Sequence, residues 1–364
     1  MKTIAIEEHF KIPAIIEANS GGAQEKAFKL FGSTGIYSTG EDGEVPAGSL
    51  DIGLKRLAAM DAGGIDVQVL SLNQPATENL EPELAVKLAA MANDKIAAAV
   101  TTHPTRFGGF ATLPMPNPKA SAAELERMVT NHGFLGALIH GHIRGRYLDD
   151  QFFWPVFEKA DELGVPIYLH PKRPPQAVED ACYGGFETMV SEILATTGWG
   201  WHVDTGLHVL RLILGGVFDR FPKLQIIIGH MGEALPSMIW RANSELGPAA
   251  KYLKRRVIDY FQQNIHVTTS GYYAALDGSI DYAAFIGLLH AIGIDRILFS
   301  VDYPYSDNRA CKRFLENLPI SPDDKEKVAH LNAERLLKFK PWPRYGTLSG
   351  RGLNRARAQR SASR

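Results

Sequence analysis

The sequence has almost no cysteine: Cys182 and Cys311 are the only two in 364 residues, far apart and in no ligand-like spacing. That excludes a disulfide framework and a zinc-finger module, and points to two free thiols in a reducing compartment. It also lacks an excess of either charge. With 39 Lys and Arg against 40 Asp and Glu, the formal net charge is -1, too little to steer nucleic acid or an anionic membrane. No apolar run approaches the ~20 residues that cross a bilayer. The opening residues 1–6 meet Glu7 and Glu8 too soon to act as a signal peptide. A Walker loop, a dinucleotide glycine fingerprint and the basic, aromatic-interleaved surface of a nucleic-acid binder are all missing, and no internal repeat stands out. What remains is the expectation of a cytoplasmic protein whose partner is a small molecule, with no nucleic acid and no membrane.

What is present is the material for a core. Hydrophobic residues at 45% and charged residues at 22% are the proportions of a folded globular chain. Eight short apolar runs, 3–6, 67–71, 107–111, 136–139, 166–169, 224–228, 265–268 and 297–299, read as buried strands. Between them lie helix-length stretches with 3.6-type spacing, among them 82–99, 120–131, 152–163, 206–218 and 273–292. Strands alternating with helices pair in parallel through βαβ units, and eight of them predict a closed (β/α)8 or TIM barrel. An open doubly wound sheet would carry glycines after its first strand, where Glu7-Glu8-His9 stands instead. Residues 1–340 are therefore expected to form one catalytic barrel domain. Residues 341–364 are expected to be a disordered basic tail, with five arginines in 346–364 and no apolar face. Two Gly-, Ser- and Thr-rich segments, 17–49 and 171–205, the second holding Trp199 and Trp201, are expected as loops that cover the substrate.

The chemistry sits where the predicted strands stop, which in a barrel is the C-terminal face. Glu7 and His9 end the first strand, two residues apart on an extended chain and so on one side. His170 ends the fifth, His230 the sixth and Asp302 the eighth. A carboxylate directly after a buried strand needs a cation or donors to offset its desolvation, and one metal ion would satisfy Glu7, His9, His170 and Asp302 together. Two carboxylates and two imidazoles suit Zn or Mn. His230 reads as a group beside the metal that orients water or a proton, with Glu233 setting its tautomer. Arg241 is a candidate for binding a substrate carboxylate. His140 and His142 end the fourth strand as a second His-x-His pair that could replace Glu7 and His9 as ligands. Adjacency of the first and eighth strands favours the first pair, leaving His142 as a substrate contact and His140 as a buried, hydrogen-bonded core residue.

Taken together, these residues resemble the decarboxylase branch of the amidohydrolase superfamily, which includes γ-resorcylate, 2,3-dihydroxybenzoate and 5-carboxyvanillate decarboxylases. The motifs that carry the resemblance are Glu7-Glu8-His9-Phe10, Met60-Asp61-Ala62-Gly63-Gly64-Ile65-Asp66, Leu70-Ser71-Leu72-Asn73, Asp219-Arg220-Phe221-Pro222-Lys223-Leu224, Gly229-His230-Met231-Gly232-Glu233 and the run from Arg296 to Pro304. The resemblance implies a distorted barrel of amidohydrolase type and one Zn or Mn ion per subunit on Glu7, His9, His170 and Asp302. It also implies His230 and Glu233 beside the metal, Arg241 near the substrate, and a homodimer or homotetramer. His140-Gly141-His142 departs from the Asn-containing segment of the γ-resorcylate enzymes, while Gly145-Arg146-Tyr147-Leu148-Asp149 is closer to the carboxyvanillate enzyme. The ring substituents are thus left open.

The reaction expected is reversible non-oxidative decarboxylation of an ortho-hydroxybenzoate to a phenol and CO2. The metal would hold the carboxylate and phenolic oxygen, and Asp302 would protonate the ring carbon. His230 and Glu233 would buffer the charge, and Phe10, Asn73 and the tryptophans would contact the substrate. The alternative is a metal-dependent hydrolase of a lactone or amide, which the same ligands would serve; the fourth strand lacks the lysine that a carbamate-bridged two-metal hydrolase would supply.

Overall fold

The computed structural model describes residues 1–20, 48–271 and 282–339. Its strands are β1 (Ile4–Phe10), β2 (Val67–Leu72), β3 (Phe107–Gly109), β4 (Ala111–Thr112), β5 (Ala137–His140), β6 (Ile167–His170), β7 (Ile226–Ile228), β8 (Ile265–Thr268) and β9 (Ile297–Leu298). Every hydrogen-bonded pair is parallel, in the orders β1-β2-β3 and β4-β5-β6-β7-β8-β9. All eight predicted strands are present, but the third is split. Phe110 interrupts it, its N–H bonding back to Leu70 O at 2.9 Å while Ala111 N–H turns to Gly136 O at 2.9 Å. One strand position thus serves both neighbours in turn. The remaining seam is closed by a bridge between Glu8 and Tyr303, with His9 N–H on Tyr303 O at 2.7 Å. The result is a distorted (β/α)8 barrel.

Two apolar bodies hold it. Inside the barrel, Ile4, Ile6, Val67, Val69, Leu138, Tyr168, Ile227 and Leu298 form a fully enclosed floor. Outside, the strands' other faces pack beneath helices such as Pro82–Thr102, Pro118–His132 and Trp154–Leu163. Both faces of each strand are covered, which is why the strands read as unbroken apolar runs.

The segment between β6 and β7 is not the loop expected. It carries helices Gln176–Cys182, Thr188–Ala195 and Gly200–Leu214, the last starting six residues before the predicted 206. Its buried face includes Asp204, Thr205 and His208 as well as Val209, Leu212 and Ile213. Polar residues on the inward stripe hid the period from a hydrophobicity reading. The expected helix 273–292 is seen as Ala283–Ile292, and its first part lies outside the described residues. So do most of the expected cover 17–49 and all of the basic tail. No described helix is long and apolar enough to cross a membrane, and Cys182 and Cys311 are free thiols.

Candidate metal centre and active site

Strand β1 carries a bulge that makes the site. Ile4 pairs with Val67 and Ala5 with Gln68, but Glu8 pairs with Leu70, so Ile6 and Glu7 share Val69. The extra residue shifts the side-chain phase by one. Ile4 and Ile6 point into the floor, and Glu7 and His9 above them also point inward. Glu8 is turned out to the seam, where it accepts from Gln68 Nε2 at 2.8 Å, Val301 N at 2.9 Å and Ser300 Oγ at 3.1 Å. Phe10 follows Glu8 outward and is fully enclosed in the outer core. The expectation that it packs on a substrate ring is therefore corrected: alternation alone puts it opposite His9.

At the top of the barrel Glu7, His9, His170 and Asp302 converge, each offering a ligand atom within 4.8 Å of the others. His9 Nε2 lies 3.3 Å from Asp302 Oδ1 and His170 Nε2 lies 3.3 Å from Glu7 Oε1. The neighbours fix which atoms are free. His170 Nδ1 donates to Pro171 O at 2.9 Å, so its Nε2 keeps its lone pair; His9 Nδ1 lies 3.1 Å from Ser71 Oγ, a hydroxyl able to accept from it and leave Nε2 for a cation. Glu7 Oε2 is taken by Tyr168 OH and by Thr268 Oγ1, leaving Oε1. Glu7 Oε1 and His9 Nε2 are buried with no hydrogen-bond partner among the described residues. Burial, with the other imidazoles close by, holds His170 well below the usual histidine range, hence neutral. Burial and the Asp302 charge push Glu7 up against the pull of His230 and His9. Orphaned ligand atoms, the neutral His170 imidazole and two crowded carboxylates are the conditions a divalent cation relieves. The four side chains form a site for one such ion.

Beside it, residues 230–234 form a left-handed turn. His230, Met231, Gly232, Glu233 and Ala234 all have positive φ, between 48° and 91°. A 3-10 turn, Leu235–Ser237, and helix Ile239–Leu246 follow it. Four of the five are not glycine, each at a cost of roughly 1 to 3 kcal/mol, a pattern that clusters at functional sites. The turn sets His230 Nδ1 2.7 Å from Glu233 Oε1, while His230 Nε2 faces Asp302 Oδ2 at 3.6 Å. Glu233 Oε2 accepts from His202 Nδ1 at 2.5 Å. Burial alone would lower His230, but Glu233, Glu7 and Asp302 outweigh it and raise it well above its ordinary value. Glu233 is held low despite its burial by His230 and His202. His202, His230 and Glu233 could also hold a metal by proximity. Their facing atoms already satisfy one another, however, and form a chain of contacts that reaches Asp302.

The other expected residues fare differently. His140 is buried as expected, with Nδ1 2.5 Å from Glu78 Oε1, but its Nε2 has no partner. His142 is not poised for a substrate: Nδ1 accepts from Gly145 N at 3.0 Å and Nε2 donates to Arg173 O at 3.0 Å. It pins two loops together, which corrects the expectation of a substrate contact. Asn73 is buried beside the site, its Nδ2 on Tyr305 OH at 2.6 Å and its Oδ1 on Gln74 N at 2.7 Å; Tyr305 in turn edges the His9 ring. Arg241 stands away from the metal centre within this chain, 73% exposed and 3.5 Å from Glu245. Helix Ile239–Leu246 presents it to solvent, so within the described chain it is not brought to the metal centre.

Sequence reasoning missed His202, Tyr168, Ser71, Thr268, Glu78 and Arg56. Tyr168 and Ser71 were legible, since each lies two residues before an inward position of its own strand, His170 and Asn73. Arg56 was not: it is a fully buried arginine on helix Leu54–Gly63, its guanidinium 4.5 Å over the Tyr303 ring.

Comparison with known proteins adds the following. Residues 50–339 match the Amidohydrolase family. A γ-resorcylate decarboxylase of Polaromonas sp. is 36% identical over 347 residues, covering 92% of this chain and 98% of that one. A crystal structure of 2,6-dihydroxybenzoate decarboxylase complexed with 2,6-dihydroxybenzoate superposes with a TM-score of 0.77 at 34% identity, over 93% of this chain and 100% of the other. A 5-carboxyvanillate decarboxylase of Novosphingobium aromaticivorans, complexed with manganese and 4-hydroxy-3-methoxy-5-nitrobenzoic acid, gives 0.82 at 33% identity, over 93% and 96%.

Proposed function

We propose, for a chain that belongs to the amidohydrolase family, the following assignment of roles within a metal-dependent carboxy-lyase. The protein decarboxylates an aromatic acid, and the substrate is a benzoate with a hydroxyl ortho to its carboxylate. A divalent ion on Glu7, His9, His170 and Asp302 supplies Lewis acidity toward the carboxylate and the neighbouring phenolic oxygen. The observation that carries the assignment is Asp302, whose two oxygens face His9 Nε2 at 3.3 Å and His230 Nε2 at 3.6 Å.

Asp302, held ionised against its burial by His230 and His9, takes the proton of the substrate's ortho hydroxyl and passes it to the ring carbon that bears the carboxylate. The bond to the carboxylate then breaks, its electron pair returns to the ring, and CO2 leaves with the phenolate, which takes a proton from water to give the phenol. His230 holds the second Asp302 oxygen and balances its charge as the proton moves. Glu233, tied to His230 and His202, fixes the His230 ring. The buried floor of Ile4, Ile6 and Leu298 closes the site from below and keeps water away from the dearomatised ring.

Manganese is the ion we favour, supported by its presence in the 5-carboxyvanillate relative; the ligand types suit zinc as well. The free thiols support a cytoplasmic location, and the exposed Met238 and Trp240 support a homo-oligomer. The hydrolytic alternative draws no support from these relatives.

The test is incubation of metal-analysed protein with a panel of 2-hydroxybenzoates, following substrate absorbance and CO2. Stoichiometric CO2 and phenol are expected. Bound metal without CO2 from any member would reject the decarboxylase.

A further inference from the structure

His140 ends β5 as the register partner of His170 on β6. Neighbours in parallel register present their side chains to the same face, so His140 faces the barrel top beside a metal ligand, the two rings meeting edge-on at 5.0 Å. Glu78 determines its tautomer. The Glu78 carboxylate is buried, takes the Ala76 N–H at 3.2 Å, and is held down to about 2 despite its burial by the His140 ring. An ionised carboxylate can only accept, so His140 Nδ1 carries a proton; Nε2 has no acceptor to hold a second one, and a buried charged N–H without a partner costs more than a bare lone pair, so Nε2 carries the lone pair.

That lone pair is buried and meets no donor. The metal does not account for it, because His140 falls outside the group whose ligand atoms lie within 4.8 Å of one another. His142, two residues later, uses both nitrogens. His208 and His266 also leave one nitrogen unpartnered, but neither has a carboxylate bonded to its ring. A buried acceptor oriented by a second group and left open at the active site is the form a ligand contact takes.

We propose that His140 Nε2 accepts a hydrogen bond from a ring hydroxyl of the substrate other than the one facing the metal, with Glu78 as its positioning residue. This contact selects aromatic acids with at least two hydroxyls over those with one, by leaving a buried acceptor unsatisfied when the second is missing. It rests on the aromatic-acid reading above.

The experiment measures binding, so it does not depend on turnover. Dissociation constants of 2-nitroresorcinol and 2-nitrophenol, which differ by one hydroxyl, are determined for the manganese-loaded protein. Comparing their ratio between variants cancels the ligands' own difference in acidity. The wild type should prefer 2-nitroresorcinol, and His140→Leu should lower that preference roughly tenfold with metal content unchanged. His140→Gln, whose amide oxygen can accept, should keep part of it. Glu78→Gln should lower it by donating to Nδ1 and turning Nε2 into a donor; this variant and His140→Gln carry the test if His140→Leu fails to fold. A wild type without preference, a ratio unmoved by His140→Leu and Glu78→Gln, or loss of metal in these variants would overturn the proposal. Failure of the wild type to release CO2 would instead reject the decarboxylase reading, with the binding ratio still readable.

Discussion

Glu8 accepts the backbone N–H of Val301 at 2.9 Å across the seam where the first and last strands meet. Arg56 supports this contact from outside, donating to His9 O and to Gln68 Oε1 at 3.2 Å. Its charge draws on Glu8, whose carboxyl burial nonetheless pushes up to about 8. Replacing Arg56 with Leu leaves two buried acceptors, His9 O and Gln68 Oε1, without their donor. The expected loss is about 2 to 4 kcal/mol, read from urea unfolding; a loss within experimental error would show that the seam does not depend on these contacts.

Gly229 is the close-approach glycine of the site. A Cβ there would stand 2.9 Å from Glu7 Oε2, 3.0 Å from Tyr168 OH and 3.1 Å from Glu233 Oε1. Gly229→Ala should therefore weaken metal retention on dialysis and lower turnover by roughly 10- to 100-fold, while the melting temperature of the metal-free protein barely moves. Unchanged metal content and turnover would contradict the crowding described.

Chelation should abolish CO2 release and lower the melting temperature, since the ion binds only the folded chain. Added manganese should restore both. His170→Ala should prevent the restoration, and Asp302→Ala should abolish turnover. Full activity after verified metal removal would reject the assignment of the four ligands.

His202→Phe removes the donor on Glu233 Oε2 without touching the metal group. Turnover is expected to fall by roughly 10- to 100-fold with metal content intact, because Glu233 then holds His230 less firmly. A loss of metal instead would mean that the trio supports the ion rather than the His230 ring.

The pH dependence of stability should expose His142. Burial first, and the Lys172 charge second, bring it from 6.5 down to about 4. The neutral ring is thus the folded form, so its contribution is fully present above pH 6.5 and drains away as the pH falls toward 4. The amount is about 3 kcal/mol. Melting curves between pH 8 and 4 should show a steeper acid limb for the wild type than for His142→Asn. Parallel limbs would count against the buried neutral ring.

The barrel was legible because strands covered on both faces appear as apolar runs, and the ligands were legible because they stand where those runs end. Other features leave no mark on composition. Only Gly232 among residues 230–234 advertises a left-handed turn. His202 was lost because Asp204, Thr205 and His208 break the apolar stripe of its helix. The roles of His140 and His142 depend on which carbonyl or carboxylate a distant loop supplies, Arg173 in one case and Glu78 in the other. Sequence spacing treats the two histidines alike.

The doubled position at Ile6 and Glu7 against Val69 has an evolutionary consequence. Removing Ile6 would restore strict alternation and still leave Glu7 and His9 facing inward, so the first strand is a ligand arm joined to a hydrophobic plug by a single spare residue. Each part can diversify without forcing the other to change.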